Sequence, residues 1–524
     1  MDKKEGMMVK KGVTNANRKN TFIYCLISTY IVGIAAHAYV FFHDSFSHDS
    51  LGAIYASKSE DLWKCALGRW VVPLYRKIVR GSISSPWLIG LLALLWIGIT
   101  LYLIVELFQI SQKRHVFLLA SILTVNLTVI ALAATFLFEL DIDMFALLLA
   151  TCAVYMWRQY RWGWIIGIPL ITGVLGIYQS YISVVISLII ILLINDCISK
   201  ISVKSIFKNG MQGIGMLIGG GMVYLVSLKV VVAVTGQKLA SSYNGLTNMS
   251  QIASSKLFTF IQNAYGDWIA SFISPEAAYI GGLLKVANIA VLCFVIGGLI
   301  AIFIDKNLNM LNKIMVFVLA AVLPIGMNIS CILSGGMVHV LMRYSFWLFY
   351  AWALLLIQRL KHSILKEKKR FKYMASGGAV LSIAILIVIW NNFQAANAVY
   401  LKKDMEQKAT LAMMTRVTER LEVMPGYEQG QSPVVFVGTI SDLSHKDGFE
   451  KVEEIGGAGG SSTITYNSIG MFENYYKYIL STPINLDSAI WYDLQEDVRI
   501  QEWPSFPAGD SIQKLDKVYV VKLG

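Results

Sequence analysis

Two stretches of this apolar chain concentrate its carboxylates. Asp44 and Asp49 lie in FFHDSFSHDSLGAIY (41–55), beside His43 and His48, while Glu139, Asp141 and Asp143 crowd into FLFELDIDMFALLLA (136–150). A carboxylate near an acceptor hydroxyl can act as a general base. The same residue types also serve as plain turn formers, and Asp–Ser pairs after a helix commonly do so. Four cations complete the set: Lys64, Arg69, Lys229 in VYLVSLKVVVAV, and Arg343 in HVLMRYSFW. Arginine suits a phosphate through paired donors. Lys229 could equally snorkel to an interface, and Arg343 could be an interfacial anchor. Tyr178 and Gln179 in LGIYQSYIS, with Trp70, offer hydrogen-bonding and stacking groups for a sugar, or form part of an aromatic belt. The two histidines read as bystanders: HDxxxHD supplies oxygen and nitrogen donors, but no cysteine or third histidine supports zinc.

The elements that must position these residues are long apolar runs. The chain has 524 residues, 56% hydrophobic and 15% charged, with a mean hydropathy of +0.58. Typical soluble domains carry about 25% charged residues. A run of about twenty apolar residues crosses a bilayer as a helix, and the sequence predicts a polytopic α-helical membrane protein. About eleven spans are expected: 21–42, 87–110, 116–138, 143–157, 164–177, 181–195, 211–235, 286–304, 314–333, 343–358 and 374–392. The 164–195 run reads as two short helices around Tyr178 or one long tilted helix. The first apolar stretch is too long for a cleavable signal peptide.

Lys and Arg mark the cytoplasmic loops. The N-terminal arm and the loops SQKRH, RQYRWG, SKISVKSIFKNG, DKNLNMLNK and QRLKHSILKEKKRFK are all basic, whereas ELDID, IYQSY and SGGMVHV contain neither residue. A cytoplasmic N-terminus follows. Residues 1–392 then form a transmembrane domain with long outer loops at 43–86 and 236–285, and 393–524 form an extracytoplasmic domain. In the first outer loop, Trp63, Leu67, Trp70, Val71 and Leu74 recur at three- and four-residue steps, which predicts an amphipathic helix in the interface plane with its basic groups at the headgroups. The net charge of +12 comes from the spans and their loops. It fits inner-face topology and contact with anionic lipid rather than nucleic acid.

The C-terminal 132 residues change character, with 12 Lys/Arg against 18 Asp/Glu. SPVVFVGTISD and KVYVVKL read as strands and TITYNSIGMFENYYKYIL as helix, a small α/β domain. GGAGGSS, from Gly456, lacks the GK[ST] of a phosphate cradle and reads as a loop. The six cysteines show no CxxC spacing and predict no disulfide framework.

Acids and cations thus gather at the outer lip of the expected bundle. Transfer from a phosphate-activated, lipid-carried substrate needs that combination: a base for the acceptor hydroxyl and cations for the leaving phosphate. No Walker motif supports nucleotide-driven chemistry. A polysaccharide polymerase or ligase, and a lipid-linked-sugar transporter (flippase), are the competing classes. The first does not account for the C-terminal domain, and the second would carry inverted repeats and midplane charges that this sequence lacks.

HDSLGAIYASKSEDLWKCALGRWVVPLYRKIV, with Trp63, Lys64, Gly68, Arg69 and Trp70, resembles the GtrII-type bacterial membrane glucosyltransferases. The Asp-rich stretch at 139–143, YQSYIS and PVVFVGTI strengthen the resemblance. It implies a GT-C-like bundle, an outward-facing site and an undecaprenyl-phosphate-linked sugar donor, with glucose as the transferred hexose. The acceptor would be a cell-surface polysaccharide or a teichoic-acid-like polymer. The resemblance implies an Asp base in the first outer loop, Asp49 first and Asp44 second, and inversion at the sugar carbon. It implies no certain cofactor, some relatives using a divalent cation (Mg or Mn) and others none.

Overall fold

The computed structural model describes residues 15–43, 46–240, 256–336, 338–364, 368–440, 448–456 and 467–524. Asp44 and most of GGAGGSS lie outside them. Every expected span is occupied by helix. The main rods are α1 (Asn15–Phe42), α5 (Pro86–Phe108), α6 (Lys113–Thr124) with α7 (Leu127–Thr135), α8 (Leu137–Gln159), α9 (Gly163–Ile177), α10 (Ile182–Ile198) and α11 (Val203–Thr235). They continue as α12 (Leu257–Ile273), α13 (Gly282–Ile304), α14 (Met310–Met327), the short α15 (Ile329–Leu333), α16 (Leu348–Ile364) and α17 (Lys368–Glu422). Among the described residues seven helices are long and apolar enough to cross a membrane, against the eleven or so spans expected, and α6 with α7 makes an eighth if that bent pair is one span. The chain is a polytopic helical membrane protein.

Four features depart from the sequence expectation. The 116–138 run is broken by about 40° between α6 and α7. Asn126 caps α7 by accepting from the Val129 N–H and donates to the Ile122 and Leu123 carbonyls. Its side chain thus serves backbone groups that the break leaves without helical partners. The 164–195 run is two helices joined by a tight 3-10 turn at Gln179–Tyr181. ELDID is not a loop: it lies in the first two turns of α8, and its acids are buried. Finally, α17 runs unbroken through residues 392 and 393, where the domain division was expected, and places Met414, Val417 and Leu421 in the core of the C-terminal domain.

The 43–86 segment is not one amphipathic helix. It folds as α2 (His48–Leu51), α3 (Lys58–Ala66), α4 (Val71–Tyr75) and a π turn at Arg76–Arg80. Gly68, at φ 78°, turns the chain between α3 and α4, a backbone geometry that suits glycine. Trp63, Leu74, Ile78 and Ile83 remain exposed, as an interfacial surface requires. The basic groups do the opposite of what was expected, since Lys64 is 5% and Arg76 2% exposed. They turn inward because acids of α3 and α8 await them.

The C-terminal domain is built on a four-stranded sheet in the order β2 (Asn485–Leu486), β1 (Pro433–Val437), β4 (Val518–Lys522), β3 (Ile512–Leu515). β1 is parallel to both neighbours, and β3–β4 is antiparallel. Its apolar centre stacks Phe436 on Phe472, with Trp491 alongside. Leu51, with Phe46 and Ile54 packed beside it, belongs to the same core, so the domain sits on the end of the bundle where α1 finishes.

Candidate active site

The acids of α8 are sorted by helix geometry. At 3.6 residues per turn, Glu139 and Asp143 lie about 40° apart on one face, while Asp141 points about 200° from Glu139. The segment that follows α1 wraps this helix end and meets each face with its own cation. Lys64 Nζ lies 2.5 Å from Glu139 Oε1, and Arg69 Nη1 donates to Oε2 at 3.3 Å. On the other face, Arg80 Nε lies 3.0 Å from Asp141 Oδ2, and the Tyr75 hydroxyl donates to the same oxygen at 3.1 Å. Burial, with Asp141 alongside, holds the Tyr75 phenol far above its ordinary pKa, so it donates as a neutral hydroxyl. Arg80 Nη2 also donates to the Phe138 carbonyl at 2.6 Å.

Asp143 differs. It is buried, with 5% of its surface exposed, and makes no ion pair or hydrogen bond among the described residues. The nearby Tyr181 hydroxyl is also buried and has no hydrogen-bond partner among the described residues. Arg69 stacks its guanidinium on the Tyr178 ring at 4.6 Å. Tyr178 packs edge-on to Tyr181 at 6.1 Å, and Tyr181 meets Tyr344 at 6.0 Å. An aromatic row therefore leads from the acid–cation cluster towards Arg343.

Asp49 lies in the first turn of α2. Ser47 caps that helix through a reciprocal pair with Ser50, and its hydroxyl donates to the Thr135 carbonyl at 2.5 Å. Thr135 ends α7, four residues before Glu139, so the cap fastens α2 to the α7–α8 junction. The Asp49 side chain is 44% exposed and lies 3.3 Å from His48 Nε2. Behind it, α17 presents Lys403, whose buried Nζ has no hydrogen-bond partner among the described residues. Lys402 joins Glu406 at 2.5 Å and Glu453 of the C-terminal domain at 2.8 Å.

The other expected residues scatter more. Gln179 donates to the Tyr224 hydroxyl at 3.1 Å, and Tyr224 donates to the Gly68 carbonyl at 3.0 Å. Tyr224 thus ties α11 to the turn that carries Arg69, and Gln179 holds Tyr224. The Trp70 ring packs on α9 at Gly176, where an added Cβ would come within 3.2 Å of the indole. Lys229 lies on the exposed side of α11, away from the acids of α8, and has no ion pair among the described residues. Arg343 lies apart from the cluster and donates through Nη1 to Glu276 at 2.9 Å.

Arg76 and Arg80 escaped the sequence reading, although they are cations in a loop expected to lie outside, the same signal that drew attention to Arg343. Glu60 and Asp61 escaped it too: Arg76 reaches them at 3.8 and 3.5 Å. Glu139 and Asp141 are already faced by fixed cations, which leaves Asp143 as the free carboxylate of the three. Among the described residues no three His, Cys, Asp or Glu side chains converge as a metal site would need.

The fold and this cluster define a class: a multi-spanning membrane protein with an enclosed acid–cation site at the end of its helical bundle, beneath a small α/β domain. The family model for glucosyl transferase GtrII matches residues 38–360, and the chain belongs to that family. The match takes in the whole α2–α8 cluster and ends within α16. Neither the search of curated proteins nor that of solved structures gave a match.

Proposed function

We propose that this protein transfers glucose from undecaprenyl-phosphate-glucose to a cell-surface glycan at the outer face of the membrane, within a GT-C-like bundle. One observation carries the reading: α2 and α8 bring an accessible carboxylate, Asp49, to the same bundle end as the buried Lys64 and the partly buried Arg69.

In this reaction Asp49 takes the proton of an acceptor hydroxyl. The acceptor oxygen bonds to the sugar's anomeric carbon, the bond from that carbon to the phosphate oxygen breaks, and the configuration inverts. The polyprenyl phosphate leaves with the electron pair. Lys64 and Arg69 stabilise the charge gathering on it, exchanging part of their interaction with Glu139 for the phosphate. The exposed apolar side chains of α3, α4 and the turn after them suit a lipid carrier arriving sideways. Asp44, in the same segment, is the second candidate base.

The test is glucose transfer in membranes supplied with undecaprenyl-phosphate-glucose and surface glycan, for wild type and Asp49→Asn. Wild-type transfer with a loss of roughly a hundredfold or more in the variant supports Asp49 as base. Transfer that survives the substitution moves the role to Asp44 or Asp143. No transfer by wild type overturns the donor assignment, and polymerase and lipid-linked-sugar transport assays follow.

A further inference from the structure

A cavity of about 220 Å³ lies between α12, the 274–281 loop, the N-terminal turn of α16 and the middle of α17. Its wall carries Asp267, Glu276, Asn288, Arg343, Trp347 and Tyr350. The Trp347 and Tyr350 rings stack on each other, with centroids 5.8 Å apart and planes 17° from parallel. The Tyr350 hydroxyl donates to Asn288 Oδ1 at 2.8 Å. The C-terminal domain braces the loop wall: Glu454 accepts from the Ala277 N–H, and Lys451 donates to the Ala278 carbonyl.

Two buried atoms at this wall, Glu276 Oε2 and Arg343 Nε, have no hydrogen-bond partner among the described residues. Buried polar atoms in folded proteins nearly always have one. An acceptor and a donor left open side by side fit a ligand that both donates and accepts, which hydroxyl groups do. The charge excludes an anion: Arg343 is matched by Glu276, and Asp267 adds a second carboxylate. A phosphate would meet more negative than positive charge here. Arg343, expected to hold the donor phosphate, is paired here with Glu276.

We infer that this cavity is a saccharide subsite that binds an uncharged sugar unit of the acceptor glycan, held between the Trp347 indole and the Glu276–Arg343 pair. Aromatic faces bury the apolar face of a sugar ring while the polar pair takes its hydroxyls. The row Tyr178–Tyr181–Tyr344 links this cavity to the cluster that holds Lys64 and Arg69. Phosphate and acceptor sugar thus have separate seats. The assignment of the sugar to the acceptor side rests on the proposed glucosyl transfer; the presence of a neutral-sugar site does not.

The experiment is saturation-transfer NMR on the full-length protein in lipid nanodiscs, with methyl β-D-glucopyranoside as probe and inorganic phosphate as competitor. Wild type should saturate the glucoside protons. Trp347→Ala should weaken the glucoside roughly tenfold through the lost stacking face. Lys64→Gln, in the separate acid–cation cluster, should retain it, and phosphate should not displace it. Glu276→Gln, which keeps the shape of the wall, guards against misfolding of the tryptophan variant: it should also weaken the glucoside while the protein stays monodisperse and unfolds cooperatively. Absence of saturation in wild type, indifference to both weakening variants, or displacement by phosphate would each overturn the proposal. In the transfer assay Trp347→Ala should raise the acceptor KM and leave the donor KM unchanged. A wild-type protein that binds the glucoside but transfers nothing would count against the proposed function and leave the subsite standing.

Discussion

Glu139 and Asp143 occupy one face of α8 four residues apart, yet Glu139 is held by Lys64 at 2.5 Å and Arg69 at 3.3 Å while Asp143 has neither ion pair nor hydrogen bond among the described residues. The difference separates a carboxylate that holds the site together from one that is available for other work. Removing Glu139 takes an acid from Arg69 and the nearer of two from Lys64, which keeps Glu60 at 3.3 Å. Glu139→Gln should destabilise the protein by about 3–5 kcal/mol, measured as thermal unfolding in detergent. Asp143→Asn replaces a buried carboxyl group that has no hydrogen-bond partner among the described residues and should leave the unfolding temperature unchanged or higher. A destabilised Asp143→Asn would show that the carboxylate has a structural partner after all.

The Arg80–Asp141 pair is buried on both sides. Arg80→Gln and Asp141→Asn should each cost about 3–5 kcal/mol, because each strands a buried charge. The double variant should cost clearly less than the two together. Simple addition in the double-mutant cycle would mean that the two side chains act independently.

Ser47 does two things at once, capping α2 and reaching the Thr135 carbonyl. Ser47→Ala should cost about 1 kcal/mol of stability. It should also lower the rate of glucose transfer with little effect on the donor KM, because it frees Asp49's helix from the α7–α8 junction without touching Lys64 or Arg69. A variant that loses stability but keeps its full transfer rate would detach Asp49 from the chemistry.

Lys402 anchors α17 through two acids of different exposure: Glu406 is buried and Glu453 is half exposed. Glu406→Gln should therefore destabilise by a few kcal/mol. Glu453→Gln should change stability by about 1 kcal/mol or less, since solvent screens that arm of the pair. Equal effects in thermal unfolding would show that the Glu453 arm is as well shielded as the inner one.

The sequence alone determined the bundle. Apolar runs long enough to cross a bilayer force helix, because backbone polar groups there have no water to bond, and each expected span is indeed helical. The short apolar runs of β1 and β4, buried along their length, and the change of composition after the last span pointed to the small α/β domain. The cluster 139–143 announced itself because three carboxylates in an apolar run need a reason. What only the tertiary structure decided is which charges meet. Lys64, Arg76 and Arg80 lie in the segment whose apolar spacing read as an interfacial helix, and nothing local says that they turn inward. They do so because α8 offers carboxylates in a buried setting, where an unmatched charge costs far more than a surface pair gains. The same long-range matching pairs Arg343 with Glu276, 67 residues away in the chain. It also carries α17 past the expected boundary, because Met414, Val417 and Leu421 find a second core to fill.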